Sequence, residues 1–138
     1  MNKPLMPLTR LVLTVSATVL AIFGLELLFA PQSLHNITWP PPFEPIPAVW
    51  MHYDGVTWIA LALGALYSLR QNNWLTARTY LVIAGPMVAM QVIVTVITAV
   101  IPPGVPVIAW LYFLLAVIYL PIVVVVWRQE SARLHQDK

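Results

Sequence analysis

The residues best suited to chemistry gather where the first apolar segment ends and the second begins. Glu26 lies near the end of the first segment, and His52 and Asp54 lie near the start of the second. Imidazole and carboxylate groups can bind zinc or iron and can transfer protons. Residues two positions apart on a helix point in different directions, however, so His52 and Asp54 do not form a metal-binding signature. We therefore predict no catalytic residue and no metal ligand.

Three interpretations of this cluster stay open. In the first, the cluster forms an interfacial hydrogen-bond network in which Glu26 reaches water or pairs with His52. In the second, it binds a quinone or pigment, with His52 as hydrogen-bond donor or axial ligand. In the third, it holds a metal ion, which the spacing disfavours. No cofactor is predicted outright, and quinone, carotenoid and chlorophyll are the candidates. The candidate ligand-binding residues are Glu26, His52, Asp54, Trp58, Gln91 and Tyr112.

Gln91 is the most informative polar residue in the middle of an apolar segment. A buried amide that lacks a partner costs about 1–3 kcal/mol. We therefore predict that Gln91 bonds to another helix or to Tyr112 or Tyr119.

Composition places the chain in a membrane. Its 138 residues are 60% hydrophobic and 9% charged, with a mean hydropathy of +0.83, whereas soluble domains carry about 25% charged residues. The net charge of +2 comes from few, scattered basic residues, which argues against nucleic-acid binding. The absence of cysteine excludes disulfides, thiolate metal sites and cysteine nucleophiles.

Four apolar stretches are each close to the roughly 20 residues that a membrane helix needs. Helices are expected because backbone groups in lipid must bond within their own segment. The predicted fold is all-α: a single domain, 1–138, forming a four-helix transmembrane bundle. Pro86 and Pro121 are expected to kink the third and fourth helices. The predicted helices span residues 11–29, 49–69, 80–101 and 107–127.

All seven basic residues fall on one side of this four-span map. Because Lys and Arg favour the cytoplasmic side, both termini are predicted to be cytoplasmic, in a cell membrane of the bacterial inner-membrane kind. The proline-rich segment between the first two helices is then outside. Its stiffness suits it to partner contact through Trp39, Pro41 and Phe43.

Small residues at helical spacing predict the faces on which the helices pack. The second helix carries such a stripe, and each of the other helices has a comparable face. We expect these faces to hold the bundle together. The small and polar residues concerned are Ala17, Ala21 and Gly24; Ala60, Gly64 and Ser68; Ala84, Gln91, Thr95 and Thr98; and Ala109, Tyr112, Ala116 and Tyr119.

About half of the chain resembles small four-helix bacterial membrane proteins of the DoxX-like kind. The resemblance lies in residues 29–31 (FAP), 54–58 (DGVTW), 62–67 (ALGALY) and 82–85 (VIAG), with Arg70 and Arg78 flanking the basic loop. Some members of that group are described as subunits of membrane oxidoreductases that pass electrons to quinone. Pro86 and the proline-rich loop depart from the pattern.

Three functions are compatible with the sequence. The first is a non-catalytic accessory or scaffold subunit of a larger membrane complex, respiratory or photosynthetic by resemblance, with lipid and other membrane-protein subunits as partners. The second is a binder of a small hydrophobic ligand near His52. The third is a small transporter, which would need a polar path through the bilayer that only Gln91 and a few hydroxyl residues could supply.

Overall fold

The computed structural model describes residues 4–30, 48–100 and 107–135. Within these ranges the secondary structure is helical. The four helices are α1 (Pro7–Phe29), α2 (Ala48–Gln71), α3 (Trp74–Ala99) and α4 (Val107–His135). For the described residues, the prediction of an all-α fold with four helices is confirmed. The proline-rich segment, including Trp39, Pro41 and Phe43, lies outside the described residues.

Three of the helices are long and apolar enough to cross a membrane. These candidate spans are Pro7–Phe29, Trp74–Ile97 and Phe113–Leu134. At 24 residues α2 is equally long, but the polar sequence His52-Tyr53-Asp54 near its start lowers its hydropathy. Composition alone therefore supports three spans where four were predicted.

The helix ends differ from the predicted ones where local capping takes over. α1 begins at Pro7, whose missing N–H would lack a helical partner anyway. α3 begins at Trp74 rather than at residue 80, because the Asn73 carboxamide oxygen accepts the Thr76 backbone N–H at 3.0 Å, as a helix N-cap does. α4 continues past residue 127 to His135.

The helices pair unequally. α1 packs most extensively against α2, α3 packs against α4, and α2 meets α3; α1 and α4 touch only slightly. The starts of α1 and α3 and the ends of α2 and α4 lie together at what we call the basic end, which carries Arg10, Arg70, Arg78, Arg128 and Arg133. The opposite end of the bundle contains the ends of α1 and α3 and the starts of α2 and α4.

The apolar core lies towards the basic end. It combines the first half of α1, the end of α2, the first half of α3 and the last half of α4. Its buried members are Leu5, Val12, Leu13, Ala17, Ala65, Trp74, Ala77, Tyr80, Leu81, Ala84, Val123 and Val126. At its edge the Trp74 and Trp127 rings pack edge to face, 5.4 Å between centroids, and the Arg78 guanidinium lies over Trp127 at 5.2 Å.

Towards the opposite end, α1 and α2 approach through glycines. A methyl group at Gly55 would lie 3.0 Å from the carbonyl oxygen of Gly24, and one at Gly24 would lie 2.9 Å from the Ile59 side chain. The predicted stripe on α2 is only partly correct, because Ala60 is exposed while Ser68 is buried. Gly55 brings the two backbones together, so that α2 presents another face to α1.

Candidate functional site

The three residues of the predicted cluster, which lie at the opposite end, differ in burial. Glu26 is half-buried, whereas His52 and Asp54 are exposed. No ion pair or hydrogen bond within the described residues joins Glu26 to His52. His52 and Asp54 point away from the helix face that Met51 and Gly55 bury against α1. Among the described residues no group of three His, Cys, Asp or Glu could hold a metal ion.

Trp58 packs against α1. Its ring meets Phe23 edge to face, with 5.7 Å between the ring centroids. Aromatic pairs of this geometry contribute about 0.5–1.5 kcal/mol beyond the area that they bury. The indole therefore stabilises the α1–α2 pair instead of lining a cavity beside His52.

Gln91 is exposed, and this corrects the prediction of a buried amide bonded to another helix. Ala84 and Thr95, which share its face of α3 by helical spacing, are both buried. Tyr112's side chain lies outside the described residues.

Three hydroxyl groups meet inside the bundle. Ser16 donates a hydrogen bond to the Tyr119 hydroxyl at 3.4 Å, and the Tyr80 hydroxyl lies beside both of them. Tyr80 is 6% exposed, and its oxygen forms no hydrogen bond of good geometry with a described residue. Buried hydroxyls in apolar surroundings are normally satisfied, so this group stands out as a candidate ligand contact.

Among the described residues the most buried charged side chain is that of Glu130, which the sequence predictions did not include. Its side chain is 0% exposed. Carboxylate oxygen Oε1 accepts the Met6 backbone N–H at 2.8 Å and the Thr9 hydroxyl at 2.7 Å. The second oxygen, Oε2, lies 3.3 Å from Arg133 Nη2. A carboxylate of α4 thus holds the N-terminus of α1.

This contact supplies what the sequence of α1 lacks. The first turn of α1 contains no acidic residue, and Met6, at the N-cap, makes no side-chain cap. Free N–H groups and a positive partial charge at a helix start favour a nearby carboxylate. The Arg133 guanidinium also donates to the Pro4 carbonyl at 2.6 Å. We call Glu130, Arg133 and residues 4–9 the latch.

A signal for Glu130 was present in the sequence. Val123, Val126 and Glu130 recur at intervals of three and four residues, which places them on one face of a helix. Both valines are buried, so the third position continues into the interior. The predicted helix ended at residue 127 and hid this pattern. Its bonds to α1 and its ion pair with Arg133 make Glu130 a structural anchor.

Exposed apolar residues lie on every helix, and one strip of them on α3 runs beside an exposed amide. On α3, the apolar residues at positions 83, 87, 90, 94 and 97 recur at intervals of four and three, and all are exposed. Met90 is 57% exposed, and Gln91 lies beside it. We call this strip, with Gln91, the α3 surface. Its spacing is that of a seam that packs against another helix.

No family model, curated protein or solved structure matches this chain. The resemblance to DoxX-like proteins therefore stays a prediction. We therefore infer the function from three structural features: the latch, the hydroxyl cluster of Ser16, Tyr80 and Tyr119, and the α3 surface.

Proposed function

We propose that the protein is a non-catalytic accessory or scaffold subunit that packs within a larger membrane complex. The observation that carries this proposal is the α3 surface, an apolar strip with helix-packing spacing flanked by an exposed amide. In hydrocarbon an unpaired amide is costly, and helices in membranes commonly satisfy such groups across their contacts. The partner that fits is a transmembrane helix with a hydrogen-bonding side chain opposite Gln91.

In this proposal the chain crosses a bacterial cell membrane four times, with both termini in the cytoplasm. α2 supports the fourth crossing because it packs along α1, from the Gly24–Gly55 approach to the core residue Ala65. The five described arginines at the basic end support the orientation, since positive residues stay on the cytoplasmic side. The DoxX-like resemblance makes a respiratory assembly the first complex to examine.

Cross-linking in native membranes tests the proposal. The chain has no cysteine, so a single Met90→Cys variant can report contacts of the α3 surface. We expect Met90→Cys to form cross-linked products with another membrane protein and Val96→Cys, a control on another exposed face of α3, to form few. A monomer that purifies alone in mild detergent, with no cross-linked product at either position, would contradict the proposal.

The amide contribution can be measured separately. Replacing Gln91 by Leu keeps the apolar strip but removes the hydrogen bond, so we expect recovery of the partner to fall about threefold, the equivalent of the roughly 0.6 kcal/mol typical of such bonds in membranes. Gln91→Asn should retain part of the interaction. Equal recovery from Gln91→Leu and the unchanged chain would remove the amide from the contact.

A further inference from the structure

The contact between α1 and α4 differs in kind from the other helix contacts. The two helices touch only slightly, and polar groups join them. Met6 and Thr9 bond to Glu130, and Ser16 bonds to Tyr119. We call this contact the α1–α4 seam.

The seam is tied mainly at one end. The latch bonds lie where α1 begins and α4 ends, near the boundary at which water can replace protein partners. The intramolecular bonds of the latch can therefore exchange for bonds to water as the helices separate. α1–α2 and α3–α4 are packed more extensively, so each pair can move as a unit.

The hydroxyl cluster of Ser16, Tyr80 and Tyr119 lies at this seam. Ser16 donates to the Tyr119 oxygen, so this bond does not use the Tyr119 hydrogen, and the Tyr80 hydroxyl forms no hydrogen bond of good geometry with a described residue. Leu13 and Ala84 lie about one helical turn from Ser16 and Tyr80, and both are buried in the apolar core. Two phenol donors in apolar surroundings suit one acceptor atom with two lone pairs, such as a carbonyl oxygen.

We propose that the α1–α4 seam opens sideways and admits an apolar molecule whose carbonyl oxygen accepts hydrogen bonds from Tyr80 and Tyr119, with Glu130 holding the seam closed. The shared chemistry covers a quinone and a lipid ester. The proposal uses the membrane insertion of the proposed function but not the partner subunit. It also places the ligand at the hydroxyl cluster and not beside His52.

Binding to protein in lipid nanodiscs tests the ligand. The probes are dodecyl-benzoquinone, methyl dodecanoate and dodecane, each measured against empty nanodiscs. We expect carbonyl-bearing probes to bind and dodecane not to bind, and a Tyr80→Phe/Tyr119→Phe variant to bind about tenfold more weakly. Binding of the quinone alone would identify a quinone site; binding of the ester as well would identify a site for carbonyl lipids.

Two results would overturn the ligand assignment: equal binding of dodecane, or undiminished binding by the double variant. Failure of the α3 cross-links would leave these measurements unaffected, so the two proposals fail independently. Circular dichroism checks that the double variant keeps its helices.

Distances between spin labels test the latch. Labels on cysteines introduced at Leu11 and Val124, both exposed, span the α1–α4 seam, whereas labels at Leu25 and Val56 lie within the α1–α2 pair. With Glu130→Ala we expect the seam distance to lengthen on the order of 5 Å, half a helix diameter, and the control distance to stay constant.

A milder variant keeps this test informative if Glu130→Ala fails to fold. Thr9→Val removes one hydrogen bond to Glu130 and keeps the side-chain shape, so it should broaden the seam distance distribution in a folded protein. If the distribution is unchanged in both variants, Glu130 does not hold the seam and the proposal is wrong.

Discussion

The two halves of this bundle are built differently. At the basic end, four helices share an apolar core, and polar side chains tie α1 to α4 and to the α2–α3 turn, where Asn72 accepts the Leu5 backbone N–H at 3.2 Å. Towards the opposite end, α1 and α2 meet through Gly24 and Gly55. The hydrogen bonds between helices whose two partners are both described lie in the basic half.

We infer from this difference that the basic end provides most of the stability and that the other half provides a surface for interaction. Burial and charged hydrogen bonds concentrate the free energy of folding at the basic end. Exposed apolar residues occur in both halves, but the other half also leaves the Gln91 amide uncovered, and this surface suits contact with another helix. Stability measurements in the two halves therefore provide a direct test of the comparison.

The largest effect is expected at Glu130. Glu130→Ala leaves the Met6 N–H, the Thr9 hydroxyl and Arg133 without their partner, and breaking a buried charge pair costs about 3–5 kcal/mol. Reversible unfolding in mixed micelles should show this loss. Glu130→Gln, which keeps an acceptor without the charge, should lose less. A change within measurement error for Glu130→Ala would show that the latch does not stabilise the basic end.

Two leucines of α1 compare the halves directly. Leu13 is 0% exposed and Leu25 is 49% exposed. Leu13→Ala removes packed atoms from the core and should cost about 2–4 kcal/mol, while Leu25→Ala should change the free energy of unfolding by about 0.5 kcal/mol or less. Equal losses measured in the same micelles would mean that both halves are equally packed.

Smaller effects than at Glu130 and Leu13 are expected at Tyr80 and Tyr119, and they should have opposite signs. Tyr80→Phe removes a buried hydroxyl that lacks a described partner, so it should raise the free energy of unfolding by up to about 1 kcal/mol. Tyr119→Phe removes the acceptor of the Ser16 bond and should lower it by about 1 kcal/mol. Comparable destabilisation by both variants would indicate that the Tyr80 hydroxyl is paired in the folded protein.

Several features of the fold follow from local sequence and were predicted. Long apolar runs interrupted by prolines and polar loops determine four helices, because each run must satisfy its backbone internally. The distribution of Lys and Arg predicts which helix ends lie together at the basic end. Ala17 and Gly24 were also expected on a packed face, and both are buried.

The candidate sites depend on distant parts of the chain. Glu130 became an anchor because α1, more than 120 positions away in sequence, presents free N–H groups to it. Gln91 lies uncovered, although its helical neighbours Ala84 and Thr95 are buried, because coverage depends on where the other helices pass. Residue type and spacing determined by themselves that this chain forms apolar helices with one basic end. Only the tertiary structure decided which polar groups meet, because that depends on how whole helices cross.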